Sequence, residues 1–558
     1  MKQRYIELME RTLTAYSDEH ILRYFNEVKR DGLTEHGFPR LTSNIGILIS
    51  RGRRKDLLPI FLDMMDFCCE SIPKVQAAND FSVREIITCI REVEESGIAS
   101  AEAVKRWKEQ IASFDPYDCY TVTAKTPEDP VKNWALFSGV SEYFRQSAGL
   151  SSSEEFIDIQ LASQFKWLDE NGMYMDAHGD VYQPMQYDLV PRGLYVALLT
   201  EGYRGKYYDE IDECLKKSGL LTLKMQSPNG EMAFGGRSNQ FILNETWMIA
   251  TFEYEAKRYA KLGDLETAKQ FKSAIKRAVA VIEEWLYKEP IYHIKNRYPT
   301  ETKFGCEEYA YFDKYMITVA SNLYASYLAC DDSIEADDAP DIEPAVFETT
   351  YHFHKLFLKA GGYGVEFDLN GDPHYDASGL GRVHKAGAPS TICMSTPCPG
   401  HPNITLDIEN NKPLSLCPGI KVADEWKFAT DGDTKYEVVH TEEGVDYAAA
   451  EILCTFATGK SVKSEYRVSA EGVEIKAKCD GEIAYMLPAF HFDGEAYTDI
   501  KLSENQLTIS YSGAVCTYTA SEKINDADSI SANRNGHYKM YYVNGNNELC
   551  ISIKIANK

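Results

Sequence analysis

Apolar residues recur at spacings of three and four along residues 1–330, a pattern that predicts amphipathic helices. Polar loops and stop signals such as Gly263-Asp264 separate the helices, which indicates antiparallel helical hairpins. No fixed-period repeat accompanies them, so a closed ring of paired helices is favoured over a solenoid. The clearest helices are predicted over residues 56–69, 131–146, 153–168, 191–201, 244–262, 264–287 and 312–329.

The pattern changes after an acidic, proline-bearing run at residues 331–345, which has no apolar face and predicts a linker. Beyond it, apolar and polar residues alternate as they do in half-buried strands. The chain is therefore predicted to be an α+β protein, with a helical ring at residues 1–330 and an antiparallel β-sandwich at 346–558. Strands are predicted over residues 351–358, 364–369, 436–440, 447–456, 462–468, 473–477, 507–511, 514–519 and 549–555.

The composition of the chain limits the kinds of molecule that the protein is expected to bind. The 558-residue chain has 59 Lys plus Arg against 85 Asp plus Glu, and this net charge of -26 opposes a general role on nucleic acid or an anionic membrane. The 36 tyrosines favour a surface that binds sugar or peptide. The amino terminus predicts an amphipathic helix rather than a secretory leader, although a chain whose leader had been removed would look the same. The 14 scattered cysteines predict buried reduced thiols, and we expect a cytoplasmic protein.

Two polar loops, each opening into an apolar helix, carry the candidate chemistry. The first loop, at residues 169–188, supplies Asp176, His178, Tyr182, Tyr187 and Asp188. Two carboxyl groups that face one bond can divide acid and base duties. A tyrosine beside a neutralised uronate can instead take the C5 proton and protonate the leaving oxygen, which is elimination. Loop aspartates are also common turn formers, so a structural role stays open for each of them.

The second loop, at residues 230–241, supplies Arg237 for two-point binding of a carboxylate, and Glu245 follows it on an otherwise apolar helix face. Asn133 and Trp134 lie at the mouth of a helix, where they predict either a ligand contact or a cap and a core residue. Arg382 and His384 share one face of a predicted strand, either as an exposed face or as a basic surface closing the ring. The other predicted substrate contacts are Arg192, Asn239, Gln240 and Tyr309.

Several motifs are absent from the sequence, namely a zinc-protease helix, a Walker A loop, a dinucleotide-binding glycine loop and a nucleophile elbow. His352 and His354 lie two apart on a predicted strand, where solvent-facing residues are a better interpretation than a metal site. We therefore predict neither a metal nor a cofactor. No apolar run approaches the length of a membrane span.

Helical hairpins followed by an antiparallel sandwich resemble the (α/α) toroid carbohydrate enzymes, which include heparinase II/III-like and alginate-type polysaccharide lyases. Short motifs are also similar, in order and spacing, to a family of toroid proteins associated with β-glucuronidases of glycoside hydrolase family 154. They are Asn133-Trp134, Gly-Met-Tyr-Met-Asp at 172–176, Gln-Tyr-Asp-Leu-Val-Pro at 186–191, Phe-Gly-Gly-Arg-Ser at 234–238 and Glu-Tyr-Ala-Tyr at 308–311.

One departure from the lyases affects the expected reaction. They have an Asn-His pair where this chain has Asn133-Trp134, and the resemblance makes that histidine a base or a charge neutraliser. Its loss favours hydrolysis, although the segment from Tyr182 to Tyr187 resembles their catalytic tyrosine segment and His178 could replace the histidine.

We therefore expect an exo-acting β-glucuronidase, oligomeric and acting on a glycan or glycoside that bears a uronic acid. Its acid and base are drawn from Asp176, Asp188 and Glu245, with Arg237 and Asn133 on the carboxylate. A uronate lyase using Tyr187 or Tyr182 and a non-catalytic glycan-binding protein are the two alternatives. An elimination product would absorb in the ultraviolet, whereas hydrolysis would leave the spectrum flat.

Overall fold

The computed structural model describes residues 1–177, 179, 182–336 and 341–557, and fourteen α-helices fill the amino-terminal part of this range. Their bounds are α1 Lys2–Leu13, α2 Asp18–Asp31, α3 Gly37–Ser50, α4 Leu58–Ser71, α5 Val83–Ser96, α6 Ala101–Ala112, α7 Pro116–Cys119, α8 Asn133–Ser147, α9 Glu154–Ala162, α10 Met185–Thr200, α11 Tyr208–Met225, α12 Leu243–Lys261, α13 Leu265–Leu286 and α14 Phe312–Ala329.

Six inner helices form a closed ring, in which α3, α5, α8, α10, α12 and α14 each contact the next and α14 contacts α3. Outside them lie α4, α6, α9, α11 and α13, and α1 packs against α14 to complete a sixth pair. The inner helices are buried on nearly all sides, as α3 and α12 show, because they face both the outer layer and the ring axis. The predicted ring of helical hairpins is thus confirmed as an (α/α) toroid.

Most predicted helices agree with the structure, but two differ at one end. The helix predicted to begin at Pro191 begins at Met185, and the proline lies inside it. The helix predicted to reach Leu168 ends at Ala162, where its chain turns towards a short 3-10 segment. The earlier start of α10 is important because it places Gln186 and Tyr187 in the first helical turn.

Fifteen strands build the carboxyl-terminal part as two antiparallel sheets, one of four strands and one of eleven. The small sheet has the order β1-β2-β3-β4, and the antiparallel sandwich is confirmed. The strands are β1 Ala345–Glu348, β2 Lys355–Ala360, β3 Tyr363–Asp368, β4 Gly379–Lys385, β5 Pro418–Val422, β6 Glu425–Phe428, β7 Thr434–Glu443, β8 Tyr447–Phe456, β9 Ser461–Ser469, β10 Gly472–Phe492, β11 Asp499–Leu502, β12 Gln506–Tyr511, β13 Ala514–Ala520, β14 Ile524–Asn533 and β15 Gly536–Asn557.

The small sheet is buried on both faces. Leu356 and Leu358 point into the sandwich core, while Lys355 and Lys359, on either side of them in the chain, face the toroid and are also buried. The strand predicted from residue 351 begins only at Lys355, so His352 and His354 lie in the preceding turn, where His354 Nδ1 is 2.7 Å from Asp368 Oδ1. The segment between α14 and β1 is held at Asp341, whose carboxylate is 2.5 Å from Lys359 Nζ.

A layer of buried charge joins the small sheet to the toroid loop at residues 226–236, and we call it the polar seam. It consists of Lys355, Lys359, Glu366, Asp368, Asp376, Arg382 and His384 on the sandwich side. Lys359 Nζ donates to the Gln226 carbonyl at 2.8 Å, and Arg382 donates to the Met232 carbonyl at 2.8 Å. The backbone of Gly236 donates to Asp376 at 2.9 Å. The seam therefore holds the loop that carries Arg237.

A second contact between the domains is a buried ion pair. Arg534, between β14 and β15, donates to Glu307 of the toroid at 2.5 and 2.9 Å, and both side chains are at most 2% exposed. Glu307 in turn accepts from the backbone N–H of Ser238 at 2.6 Å. The pair thus extends from the sandwich to the same loop.

Within the described residues, no helix is both long and apolar enough to cross a membrane. All 14 cysteines are unpaired, and Cys479 and Cys550 alone are not buried.

We predict that Arg534→Met lowers the apparent free energy of unfolding by about 3–5 kcal/mol, because it leaves the Glu307 carboxylate buried without its partner. Adding Glu307→Gln should recover much of this loss, since the amide needs no counter-charge and still accepts from Ser238. Urea denaturation measures the free energy of unfolding of the single and the double variant. Lys463→Met, which removes the exposed pair with Glu451, is the control and should cost about 1 kcal/mol or less. If Arg534→Met and Lys463→Met lowered the free energy of unfolding by the same amount, the buried pair would have no special role in stability.

Candidate active site

A cavity of about 560 Å³ opens at one end of the toroid, within the size range of pockets that enclose a small ligand. Five of the six inner helices line it with residues from, or just before, their first two turns. The sixth, α5, is preceded by Phe81, which also lines the cavity. Helix amino termini therefore converge on this space. The contributing residues include His36, Asn133, Gln186, Leu243 and Tyr315.

This convergence makes the cavity attractive to anions although the protein is strongly acidic. The N–H groups at a helix amino terminus act as a partial positive charge. Arg40, Arg237 and Lys314 also line the cavity, and each has a carboxylate beside it, from Glu85, Asp176 and Glu35 respectively. Glu35 is the only carboxylate among the described lining residues, and it already accepts from Tyr24 and from the Gly37 N–H. The cavity thus suits a ligand that carries a negative charge.

Asn133, Asp176 and Arg237, singled out from the sequence, come together at the cavity wall. Asn133 Nδ2 and Arg237 both donate to the buried Asp176 carboxylate, which lies outside the cavity lining. The Arg237 guanidinium also lies 4.2 Å from the centre of the Tyr187 ring. Asp176 therefore orients the asparagine and the arginine, while Arg237 keeps about a third of its side chain exposed towards the cavity.

Three tyrosines and a serine form a hydroxyl cluster beside Arg237. Ser238 Oγ lies 2.9 Å from the Tyr309 hydroxyl and 3.4 Å from the Tyr187 hydroxyl, and Tyr315 lines the cavity next to them. Burial raises the pKa of Tyr187 well above its ordinary value, and it raises the pKa of Tyr315 to about 12. These phenols are therefore protonated at neutral pH and available as donors.

The backbone at Ser238 is strained, since its φ is +58° and serine seldom adopts this left-handed conformation. The Glu307 carboxylate holds it there through the Ser238 N–H, and Arg534 in turn holds Glu307. The sandwich therefore fixes the centre of the hydroxyl cluster.

His36 and Gln186 are two lining residues that the sequence argument missed. The His36 ring stacks on Phe81 at 4.7 Å, and burial together with Arg40 and Lys314 lowers its pKa well below the ordinary 6.5. The imidazole is therefore neutral at physiological pH. Gln186 follows the proline-led start of α10, and recognising that start in the sequence would have brought it into the candidate set. Nothing local marks His36, because its place depends on ring closure.

Three predicted residues are used in buried ion pairs away from the cavity. Asp188 pairs with Arg192 and accepts from the Tyr174 N–H at 2.8 Å, and Arg192 also donates to Ser218 and Thr222. Glu245 is 2.7 Å from Lys295, and burial still raises its pKa. Asp188 and Glu245, which the sequence offered as candidate acid and base, are therefore bound in ion pairs and do not line the cavity.

Other predicted contacts also lie elsewhere. Arg382 and His384 do not form an exposed basic surface, because the polar seam buries them; His384 Nδ1 is 3.1 Å from Ser227 Oγ. Asn239 and Gln240 are buried and bonded to each other at 3.1 Å. Tyr182 packs edge-on against His354 rather than lining the cavity. His178 lies outside the described residues. Trp134 and Tyr309 do line the cavity, with 37% and 38% of their surface exposed.

Among the residues that the structure describes, no three His, Cys, Asp or Glu side chains are grouped so that they could hold a metal ion.

No protein-family model matches this chain. No curated protein sequence matches it either. The fold does match solved structures. A heparan sulfate lyase (HepC mutant) of Pedobacter heparinus superposes with a TM-score of 0.53 at 7% identity, over 94% of this chain and 76% of the lyase. A heparinase III gene product gives 0.39 at 9% identity, over 95% and 85%. A glycosyl hydrolase of family 88 from Bacteroides vulgatus gives 0.39 at 12% identity, over 59% and 98%. The likeness to the lyase establishes a shared fold.

We predict that Gly193→Ala disturbs the cavity wall, because a Cβ atom on α10 would overlap the indole of Trp247, which lines the cavity. The expected cost is about 1–3 kcal/mol of unfolding free energy, as for other overpacked cores. The control is Gly432→Ala, where a Cβ would meet no atom within 4 Å. Thermal unfolding measures the stability of the two variants. If Gly193→Ala left the stability unchanged, the indole would not be packed against α10 as described.

Proposed function

We propose that the protein is a carbohydrate-active enzyme that cleaves a glycan at a uronic acid. The supporting observation is the cavity itself, which combines converging helix amino termini, Arg237 and aromatic side chains such as Trp134 and Tyr309. Aromatic rings stack on the C–H faces of sugars, while the positive field suits the carboxylate of a uronate. The fold shared with a heparan sulfate lyase agrees with this substrate class.

β-Elimination fits the lining better than hydrolysis by a pair of carboxyl groups. Hydrolysis of that kind needs an acid and a base or nucleophile on either side of the scissile bond. Among the described lining residues Glu35 alone carries a carboxylate, and Asp188 and Glu245 are bound in ion pairs elsewhere. Elimination instead needs a group that neutralises the uronate carboxylate, one base and one acid. Groups that line the cavity can fill all three roles.

In the proposed mechanism Arg237 and the helix amino termini bind the uronate carboxylate, which acidifies the C5 proton. The neutral imidazole of His36 takes that proton. The C5–H electron pair then forms the C4=C5 double bond, the C4–O bond breaks, and the hydroxyl of Tyr187 protonates the leaving oxygen. His36 precedes α3 and Tyr187 begins α10, which are opposite members of the ring, so the base and the acid approach the sugar from different sides.

A buried polar layer lies behind one side of the cavity, and we take it to favour attack near a chain end. Arg40 of α3 pairs with Glu85 of α5 at 2.8 Å, and Glu85 accepts from Ser321 of α14 at 2.5 Å. Asn44 donates to Ser321 at 2.9 Å in the same layer. In the proposed exo-acting mode, the glycan end enters at the helix amino termini and stops at this layer.

Exo-acting β-glucuronidase activity is the second candidate. The observation in its favour is that Glu35 lines the cavity, where it could act as a single acid.

The test is incubation with a panel of uronate glycans and a chromogenic β-glucuronide. Elimination should raise the ultraviolet absorbance of the new double bond, whereas hydrolysis should release the chromophore without it. We expect the absorbance to rise with at least one uronate glycan, and His36→Gln and Tyr187→Phe should each lower kcat/KM about 10²–10⁴-fold. His440→Gln and Tyr497→Phe, at exposed positions, are the matched controls. No turnover of any uronate would refute the proposal.

We also predict that kcat/KM for elimination is nearly constant between about pH 6 and about pH 9. The lowered pKa keeps His36 in its basic form above this lower limit, and the raised pKa of Tyr187 keeps the phenol protonated beyond the upper one. A pH–rate profile checks this. A tenfold rise per pH unit across the range would instead indicate that a tyrosinate is the base.

A further inference from the structure

The side chain of Gln186 is the most unusual group in the cavity wall. It is 1% exposed, and neither its Oε1 nor its Nε2 has a hydrogen-bond partner among the described residues. A buried amide normally binds at least one partner, because leaving it without one is costly. Stability of the ring therefore does not explain this glutamine.

The surroundings of Gln186 suit the face of a sugar. Gln186, Val190 and Gly193 follow one another at helical spacing on α10, and they face the ring axis. At Gly193 the chain has no side chain, and there the indole of Trp247 from α12 packs against α10. Gln186, Val190 and Trp247 all line the cavity, so an amide and an aromatic surface share one wall.

This wall carries no charge. The lining residues from α10 and α12 are Gln186, Tyr187, Val190, Leu243 and Trp247, and all of them are neutral. The cations that line the cavity come from α3, α14 and the loop before α12. An anionic group is therefore bound by those cations, of which Arg237 lies against Tyr187, while Gln186 offers a donor and an acceptor beside the small exposed part of Trp247.

We propose that Gln186 and Trp247 form a subsite for a neutral hexopyranose, the sugar next to the uronate in the substrate. The amide binds two of its hydroxyl groups, one as donor and one as acceptor, and the exposed part of the indole contacts a C–H group of the sugar. This inference rests on the proposed function for the place of the sugar in a substrate, but sugar binding itself requires no turnover.

The experiment compares Gln186→Leu with Gln226→Leu in two measurements. Gln226 is also fully buried, but its amide donates to the carbonyls of Gly230 and Ala274 at 3.1 and 2.9 Å. In thermal unfolding, Gln226→Leu should lower the Tm, whereas Gln186→Leu should leave it unchanged or raise it. A Tm that falls equally in both variants would show that Gln186 is structural and would overturn the proposal.

The second measurement is equilibrium binding of methyl β-glucoside, methyl β-galactoside and methyl α-mannoside to the full chain. At least one should bind the wild type, and Gln186→Leu should weaken it about 10- to 100-fold. Analogues lacking one ring hydroxyl should lose affinity for the wild type but not further for Gln186→Leu. Absence of binding to the wild type, or equal binding to the variant, refutes the subsite. Failure of uronate cleavage with this binding intact would refute the proposed function alone.

Discussion

The arrangement of the site depends on the buried charges of the polar seam. Taking a lysine, an arginine or a carboxylate out of water is costly, and only a correctly placed partner offsets that cost. Lys355 and Arg382 lie 3.6 and 3.2 Å from Glu366, and Arg382 also donates to the 226–236 loop, so their charges offset one another only when the toroid and the sandwich keep this relative position. The position of one domain relative to the other is therefore tightly specified, and it fixes the positions of Arg237 and Ser238.

The toroid contributes the electrostatic environment of the site rather than any single reactive group. Because inner helices alternate with outer ones along the chain, the inner helices run in the same direction and bring their amino termini to one end. Each terminus is a weak attraction for an anion, but several acting on one small volume add to Arg237 and Lys314. In a protein of net charge -26, the helix amino termini thereby favour an anion at this one place.

Periodicity alone predicted the two architectures and the exact bounds of α14 and β8, because these depend on local alternation of apolar and polar residues. Chemical reasoning on the polar residues of the loops brought Asn133, Asp176 and Arg237 into one candidate set, and they do meet. It failed for Asp188, Glu245 and Arg382, since a sequence does not show which acids and bases will pair in the interior. His36 was missed because only closure of the ring brings it opposite α10.

The electrostatics of the cavity also bear on the choice between the two proposed reactions. A carboxyl group that acts as a general acid must remain protonated, and nearby cations and helix amino termini oppose this. A phenol and a neutral imidazole do not have this problem. Nearby positive charge disfavours the imidazolium, and burial keeps the phenol protonated. In elimination, negative charge at C5 spreads onto the bound carboxylate, where Arg237 and the helix termini stabilise it most. For the proposed uronate substrate, the same electrostatics therefore favour proton abstraction at C5 over protonation by a carboxylic acid.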